Sequence, residues 1–330
     1  MRAICVDEKR HLQVRDVPAP PRAAAGYVTV QIGAAAINHG DKTFLKLPDA
    51  AGGMRGARLH DIWGSSAAGI VTEIGEGVPS YYLGRKVAIY RSLQPDKPFI
   101  GTWSEVAQLP YLACLLLPDH AEVSDYSGSL VNIVTAYAFV EQAVAEGHRG
   151  IVITAGSSAT GRALAVLAKR RGIATISIVR SEQSRAALIR NGGENVLVRN
   201  DHAFLSRFEG MARELDATAV FDGLGGTFIG TLLPALPMRS TISFYGFLSG
   251  VENVAFNSSI FMMKDLTMKR FSNFDSATVQ DQGRLAAMLV DLEECIDNVS
   301  LRTSIGRKFA LAEFDMAMTY ADDGKAVFVP

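Results

Sequence analysis

A β-rich run, Gly150-Ile151-Val152-Ile153-Thr154, enters the turn Ala155-Gly156-Ser157-Ser158-Ala159-Thr160-Gly161, and residues 162–171 follow with the spacing of an amphipathic helix. Small residues between a strand and a helix let the backbone approach a phosphate closely. The helix start adds unpaired N–H groups and the positive end of its dipole. The next β-rich run, residues 173–179, ends in Arg180. Where a dinucleotide lies on such a unit, this position meets the adenosine ribose. An acid there accepts from a 2′-hydroxyl, whereas an arginine suits a 2′-phosphate. Only Gly156 and Gly161 keep the usual glycine spacing, and such turns also occur in α/β proteins that bind nothing there. Strand, turn, helix, strand and terminal arginine, in this order, favour an NADP(H)-binding unit.

Length and composition set the frame around that unit. A chain of 330 residues buries a large core and usually divides into two domains. Apolar residues make up 48% and charged residues 20%, as in ordinary soluble proteins. A formal net charge of -1 gives no basic field to attract nucleic acid or an anionic membrane. No apolar run approaches the roughly 18 residues of a membrane span, and the N-terminus becomes charged too early for a secretory signal. Cys5, Cys114 and Cys295 are scattered and odd in number, which fits a reducing compartment. The expectation is a soluble, cytoplasmic protein.

Residues 26–32, 67–75 and 84–90 read as half-buried strands separated by glycine and proline, the pattern of an all-β module. Near residue 124 the pattern changes. Residues 129–145 have helical spacing, and strands then alternate with helices, with later strands expected at 217–221 and 240–244. After about residue 257 the chain leaves this unit. A helix over 281–298, a strand over 305–311, a short helix over 312–320 and a closing strand over 326–329 follow. The pattern is an insertion architecture, with a ligand cleft expected between the domains at the carboxyl ends of the parallel strands.

Motifs spread along nearly the whole chain resemble those of the medium-chain dehydrogenase/reductase superfamily. Ala36-Ile37-Asn38-His39-Gly40-Asp41 is similar to its Ala-x-x-Asn-x-x-Asp segment, and residues 63–78 to its glycine-bearing strand. Asp222-Gly223-Leu224-Gly225-Gly226, Tyr245-Gly246-Phe247-Leu248-Ser249-Gly250 and the closing Gly324-Lys325-Ala326-Val327 match three later steps. The resemblance implies an α/β protein of two domains. A GroES-like β-barrel catalytic domain would comprise 1–123 and 266–330. A Rossmann NADP-binding domain, a doubly wound parallel sheet, would occupy 124–265.

Zinc-dependent members carry a cysteine and a Gly-His-Glu where this chain has Asn38-His39-Gly40-Asp41 and Trp63-Gly64-Ser65-Ser66. His39, Asp41, His60 and Asp61 are possible ligands, but isolated loop histidines are mostly surface or hydrogen-bonding groups, and a catalytic zinc needs about three converging ligands. No metal is expected. This leaves the quinone-reductase and enoyl-reductase branches. Residues 130–137 resemble an enoyl-thioester reductase segment, which places Asn132 and Thr135 near the nicotinamide; alternatively Asn132 caps or bridges helix turns. By the same resemblance Gly156, Ser157, Ser158, Ala159, Thr160 and Gly161 seat the diphosphate. Arg180, Ser181 and Arg185 hold the 2′-phosphate, unless they form only a solvated helix start. Asn38, Tyr245, Gly246, Phe247, Leu248 and Phe271 approach the cofactor, and Lys325 closes over it. Arg270 stands where the corresponding segment has glycine. Asn38, Asn132 and Trp63 are the substrate-side candidates, Trp63 being equally explicable as a core residue.

Enoyl-thioester reductases place a proton-donating tyrosine about a dozen residues after the early asparagine. Here the first tyrosine after Asn38 is Tyr81. Reduction of an activated C=C needs a proton as hydride arrives, whereas a quinone takes its proton from solvent. The leading expectation is an NADPH-dependent, zinc-free reductase of quinones or conjugated carbonyls, acting on a small-molecule electron acceptor. One alternative is a 2-enoyl-thioester or 2-alkenal reductase with another proton donor. Another is a non-catalytic NADPH-binding sensor, RNA-binding or structural protein. The family also suggests a homodimer, formed through the edge of the 240–244 strand and the segment after it. The loops over 45–61 and 94–101 would shape the substrate pocket.

Overall fold

The computed structural model describes residues 1–46, 58–93, 99–250 and 253–330. Most of the two loops expected to shape the pocket, residues 47–57 and 94–98, lies outside the described residues. The chain divides into two compact units. One comprises residues 1–131, 282–298 and 302–330, and the other residues 132–281 and 299–301.

The second unit is built on six strands ordered in space as Asn195–Val198, Ala174–Val179, Gly150–Ile153, Ala219–Asp222, Thr241–Phe244 and Thr267–Arg270. Every pairing is parallel. In chain order this is 3-2-1-4-5-6, the doubly wound dinucleotide-binding arrangement, and the order reverses between Gly150–Ile153 and Ala219–Asp222. The inner strands are runs of Ile, Val, Ala and Phe because helices cover both faces, so no polar alternation is needed. Val152, Ile176, Val220 and Ile242 are fully buried, with Phe208 of the helix Phe204–Glu214 packed among them.

Three expectations are corrected here. The helix after the turn begins at Ala159, not Arg162, because Ser158 caps it, its hydroxyl accepting the Gly161 N–H at 3.0 Å. The Thr241–Phe244 strand is flanked on both sides and offers no edge to a second copy; the outer strand is Thr267–Arg270. The chain also stays in this unit until residue 281 rather than 265, because Thr267–Arg270 extends the sheet in register with Thr241–Phe244.

The first unit is centred on the long strand Tyr27–Ala36. It pairs antiparallel with Ser66–Ile74, with Val106–Pro110 and, at its carboxyl end, with Lys325–Phe328. Lys86–Tyr90, Cys114–Leu116 and Ile305–Phe309 complete a seven-stranded sheet. The helix Gln282–Glu293 buries Leu285, Met288, Leu289 and Leu292, the i, i+3, i+4, i+7 stripe of an amphipathic helix. The pairing of Val327 with Ala36 joins the chain's last strand to the residues just before Asn38. Among the described residues no helix is long and apolar enough to cross a membrane.

Candidate active site

In the second unit three segments meet at the carboxyl ends of neighbouring strands, where the strand order reverses: residues 154–161, 222–226 and 245–249. Asp222 organises them. Its Oδ1 accepts the Thr154 hydroxyl at 2.5 Å and its Oδ2 the Gly225 N–H at 3.0 Å, while the Gly223 N–H donates to the Thr154 hydroxyl at 3.1 Å. Burial is the largest influence on this carboxyl and raises its pKa, opposed by the Thr154 hydroxyl and the Gly225 and Leu224 N–H groups. The following segment is laced to it through the N–H groups of Tyr245, Leu248 and Ser249, which donate to the carbonyls of Asp222, Gly223 and Leu224 at 2.9, 2.9 and 3.1 Å.

The glycines keep this corner tight. A Cβ on Gly156 would lie 3.0 Å from the Ser177 side chain and 3.1 Å from the Ile178 carbonyl oxygen, and one on Gly161 would run into the Ala155 carbonyl. A Cβ on Gly223 would meet the ring of Tyr245. That ring stacks on Phe221 at 3.9 Å, and its hydroxyl, sealed from solvent on the Ser158 side, makes no well-directed hydrogen bond. A turn shaped by glycine, a capped helix start and a sealed phenol beside them fit the diphosphate end of a dinucleotide.

The remaining candidates of this unit fall in different places. Asn132 accepts the Thr160 hydroxyl at 2.9 Å, so it ties the helix Leu130–Ala145 to the start of the helix Ala159–Arg170. Thr135 lies one turn further along that helix and is half-buried. Gly246 packs against the Gly223 carbonyl, Phe247 is half-buried, and Leu248 is exposed. Phe271, expected at the cofactor, belongs instead to the core: it is 6% exposed and packs edge-on against Phe139 and Phe221. Arg180 is exposed. Ser181 caps the helix Glu182–Arg190 by accepting the Ser184 N–H at 3.2 Å. Arg185 is engaged locally, with the Glu182 carboxylate at 2.5 Å and the Val196 carbonyl at 3.2 Å.

In the first unit a polar network surrounds Asn38, just beyond the long strand. Its carboxamide Nδ2 donates to Ser66 Oγ at 2.6 Å and to Ser65 Oγ at 3.4 Å, and its Oδ1 accepts from the Lys325 ammonium. Its backbone N–H donates to Asp41 Oδ2 at 2.8 Å, at the start of the helix His39–Lys46. Asp41 is fully buried, and Oδ1 makes no well-directed hydrogen bond. Burial raises its pKa, opposed by the Asn38 N–H, the Ser65 hydroxyl and the charges of Arg91 and Lys325. Trp63 is 4% exposed and its indole N–H donates to the Asp41 carbonyl at 3.2 Å, so it anchors the first turn of the helix His39–Lys46. Among the described residues no three His, Cys, Asp or Glu side chains converge.

The sequence alone marks no role for Thr154, Ser66 or Arg91, and offers Asp41 only as a possible metal ligand. Asp41 carries a usable signal, its three-residue spacing from Asn38, which suits a reciprocal helix cap. Ser66 and Arg91 join the network only through tertiary pairing, Ser66 standing opposite Tyr90 in the sheet.

Residues 24–119 match the alcohol dehydrogenase GroES-like domain family. The fold combines a GroES-like domain with a doubly wound parallel-sheet domain, and solved structures share it over their full length. Escherichia coli quinone oxidoreductase, solved with NADPH, superposes with a TM-score of 0.73 at 19% identity, over 100% of this chain and 99% of that one. Quinone oxidoreductase of Pseudomonas syringae pv. tomato gives 0.76 at 20% identity over 100% and 99%. A Sinorhizobium meliloti protein assigned as an alcohol dehydrogenase gives 0.78 at 20% identity over 100% and 96%. No curated protein matches the chain by sequence.

Proposed function

We propose that the protein is an NADPH-dependent oxidoreductase that reduces a quinone or conjugated carbonyl compound without a metal. The observation that carries the reading is the corner at the reversal of strand order, where the glycine turn 155–161 packs closely on its neighbours, runs into a helix start capped by Ser158, and stands beside the Asp222 hydrogen-bond network, the position a diphosphate takes in such a fold. Escherichia coli quinone oxidoreductase and a mycobacterial protein of the same fold, both solved with NADPH, support the same cofactor. When bound, NADPH supplies the hydride. The chain's own part is to hold and orient it, with Gly156 to Gly161 at the diphosphate and Arg180 at the 2′-phosphate.

On the acceptor side, the Asn38 carboxamide is held between Ser66 and the Lys325 ammonium. Such a preorganised cationic network stabilises negative charge developing on a quinone or carbonyl oxygen. Zinc would need three converging ligands, and among the described residues Asp41, fully buried and bonded to the Asn38 N–H, is the one acid in this network. The absence of a tyrosine between Asn38 and Tyr81 favours quinones, which are protonated from solvent, over enoyl thioesters.

The test is NADPH oxidation against a panel of quinones, 2-alkenals and 2-enoyl thioesters, with and without prior dialysis against a chelator. Quinone turnover that survives the chelator, with NADPH preferred to NADH, is expected. Enoyl-thioester turnover exceeding quinone turnover by orders of magnitude moves the protein to the enoyl-reductase class. Tight NADPH binding with no oxidation by any acceptor makes it a cofactor-binding protein without this chemistry.

A further inference from the structure

We infer that Arg91 and Asp41 form a buried charge couple that tunes the Asn38–Lys325 network. Arg91 fits that network to an acceptor that carries or develops negative charge, and Asp41 sets how much of the arginine's charge is felt. The inference rests on the acceptor-side reading above and adds two positioning residues to it. Arg91 is 1% exposed and among the largest fully buried side chains of the chain. It follows directly on the strand Lys86–Tyr90, whose Tyr90 stands opposite Ser66. Its backbone N–H donates to the Ser65 carbonyl at 3.2 Å. Ser65 and Ser66 are the two hydroxyls that accept from the Asn38 carboxamide, so the strand pairing that holds Asn38 also places Arg91. The Arg91 guanidinium stands 6.0 Å from the centroid of the Trp63 ring, whose indole N–H donates to the Asp41 carbonyl at 3.2 Å. Asp41 in turn accepts the Asn38 N–H at 2.8 Å.

A guanidinium does not shed its proton, so the positive charge of Arg91 persists at every working pH. Burying such a charge is costly, and a packed apolar side chain of similar volume is often the more stable choice. Stability is therefore a poor reason for Arg91, whereas the field it adds to the Asn38 network is a good one. Burial raises the pKa of Asp41, and the charges of Arg91 and Lys325 oppose the rise. His39, Lys42 and Lys46 share the helix of Asp41 but not its burial. With Asp41 protonated, the positive charges of Arg91 and Lys325 both stand uncancelled; with Asp41 ionised, one of them is answered. Negative charge growing on an acceptor oxygen at Asn38 is stabilised by this whole field, which is strong where water is excluded. Acceptors that are already anionic gain from it in binding as well.

The test is steady-state NADPH oxidation by 1,4-naphthoquinone and by its ionised 2-hydroxy derivative, between about pH 5 and about pH 9, with NADPH titrations alongside. The proteins are the wild type, Arg91→Met, Arg91→Lys and Asp41→Asn. Arg91→Met keeps the bulk and removes the charge. It is expected to lower kcat/KM by about tenfold or more, with the larger loss on the ionised quinone and NADPH affinity unchanged. Arg91→Lys keeps the charge and should stay well above Arg91→Met. In the wild type kcat/KM should fall as pH rises through the titration of Asp41, and Asp41→Asn, which cannot ionise, should lack that fall. Equal activity in Arg91→Met and Arg91→Lys, or equal losses on the two quinones, makes Arg91 a packing residue and overturns the couple. If Arg91→Met does not fold, the pH profiles decide: parallel curves for the wild type and Asp41→Asn overturn it. A wild type that oxidises NADPH with neither quinone overturns the acceptor-side reading and this inference with it, whereas full turnover in Arg91→Met overturns the inference alone.

Discussion

The Lys325 ammonium donates to the carboxamide oxygen of Asn38, joining residues 287 positions apart in the chain. The contact exists because the strand Lys325–Phe328 runs antiparallel to the end of Tyr27–Ala36. It turns an uncharged amide into the inner member of a cationic network reaching Ser66. Lys325→Met and Asn38→Ala are each expected to lower kcat/KM for quinones by roughly 10- to 100-fold, in the range of an oxyanion-stabilising donor. The double variant should be scarcely worse than the poorer single one, since members of one network are not additive. Steady-state kinetics on the four proteins decides it, and additive losses would separate the two residues.

The parts legible in the sequence were those in which one local rule acts alone. Gly150 to Gly161 announced itself because a doubly buried strand must be apolar and a phosphate turn must be small. The strand Thr267–Arg270 was missed because an edge strand alternating Thr, Met, Lys and Arg has no apolar run, and its membership of the sheet is decided by pairing with Thr241–Phe244. Phe271 was misplaced for a related reason. A motif gives a residue's position in the chain, whereas its side chain follows the aromatic neighbours Phe139 and Phe221 into the core. Asp41 carries no sign in the sequence that it is fully buried.

Thr154→Val tests the corner built on Asp222. The substitution keeps the shape and removes the hydroxyl that both donates to Asp222 and accepts the Gly223 N–H. A buried carboxyl and a backbone donor are then left short of partners, a loss of about 1–3 kcal/mol. Thermal unfolding should shift downward, and NADPH affinity should fall with it. Thr154→Ser, which restores the hydroxyl, should recover most of both; if it does not, packing rather than the hydrogen bonds holds the corner.

Asp41 should leave a signature in the pH dependence of stability. Burial places its folded pKa above the ordinary 3.8, so in the interval between the two values the folded chain holds a proton that the unfolded chain has lost. Its contribution is complete at low pH and is lost as pH rises from 3.8 through the folded value. Asp41→Asn cannot titrate but still offers an oxygen to the Asn38 N–H. The wild-type Tm minus that of Asp41→Asn should therefore fall as pH rises from about 4 to about 8. A difference that is flat or rises over this range would mean that Arg91 and Lys325 hold the carboxyl ionised throughout.

The same chemical change at two helical glycines should have opposite signs. Gly161 lies in the first turn of Ala159–Arg170, and an added methyl there runs into the Ala155 carbonyl of the preceding turn, which cannot rotate away. Gly210 lies in Phe204–Glu214 with nothing within 4 Å of the added methyl. Gly210→Ala should stabilise by about 0.5–1 kcal/mol, the ordinary gain in helix entropy, and leave NADPH binding untouched. Gly161→Ala has the same entropic gain, yet it must push the helix start off the turn. It should lower Tm and weaken NADPH by about tenfold or more, because the capped N–H groups and the diphosphate seat move together. Paired melting curves and NADPH titrations on the two variants are the measurement. Equal behaviour at both sites would mean that the turn has room to give, and that Gly161 is present for helix geometry alone.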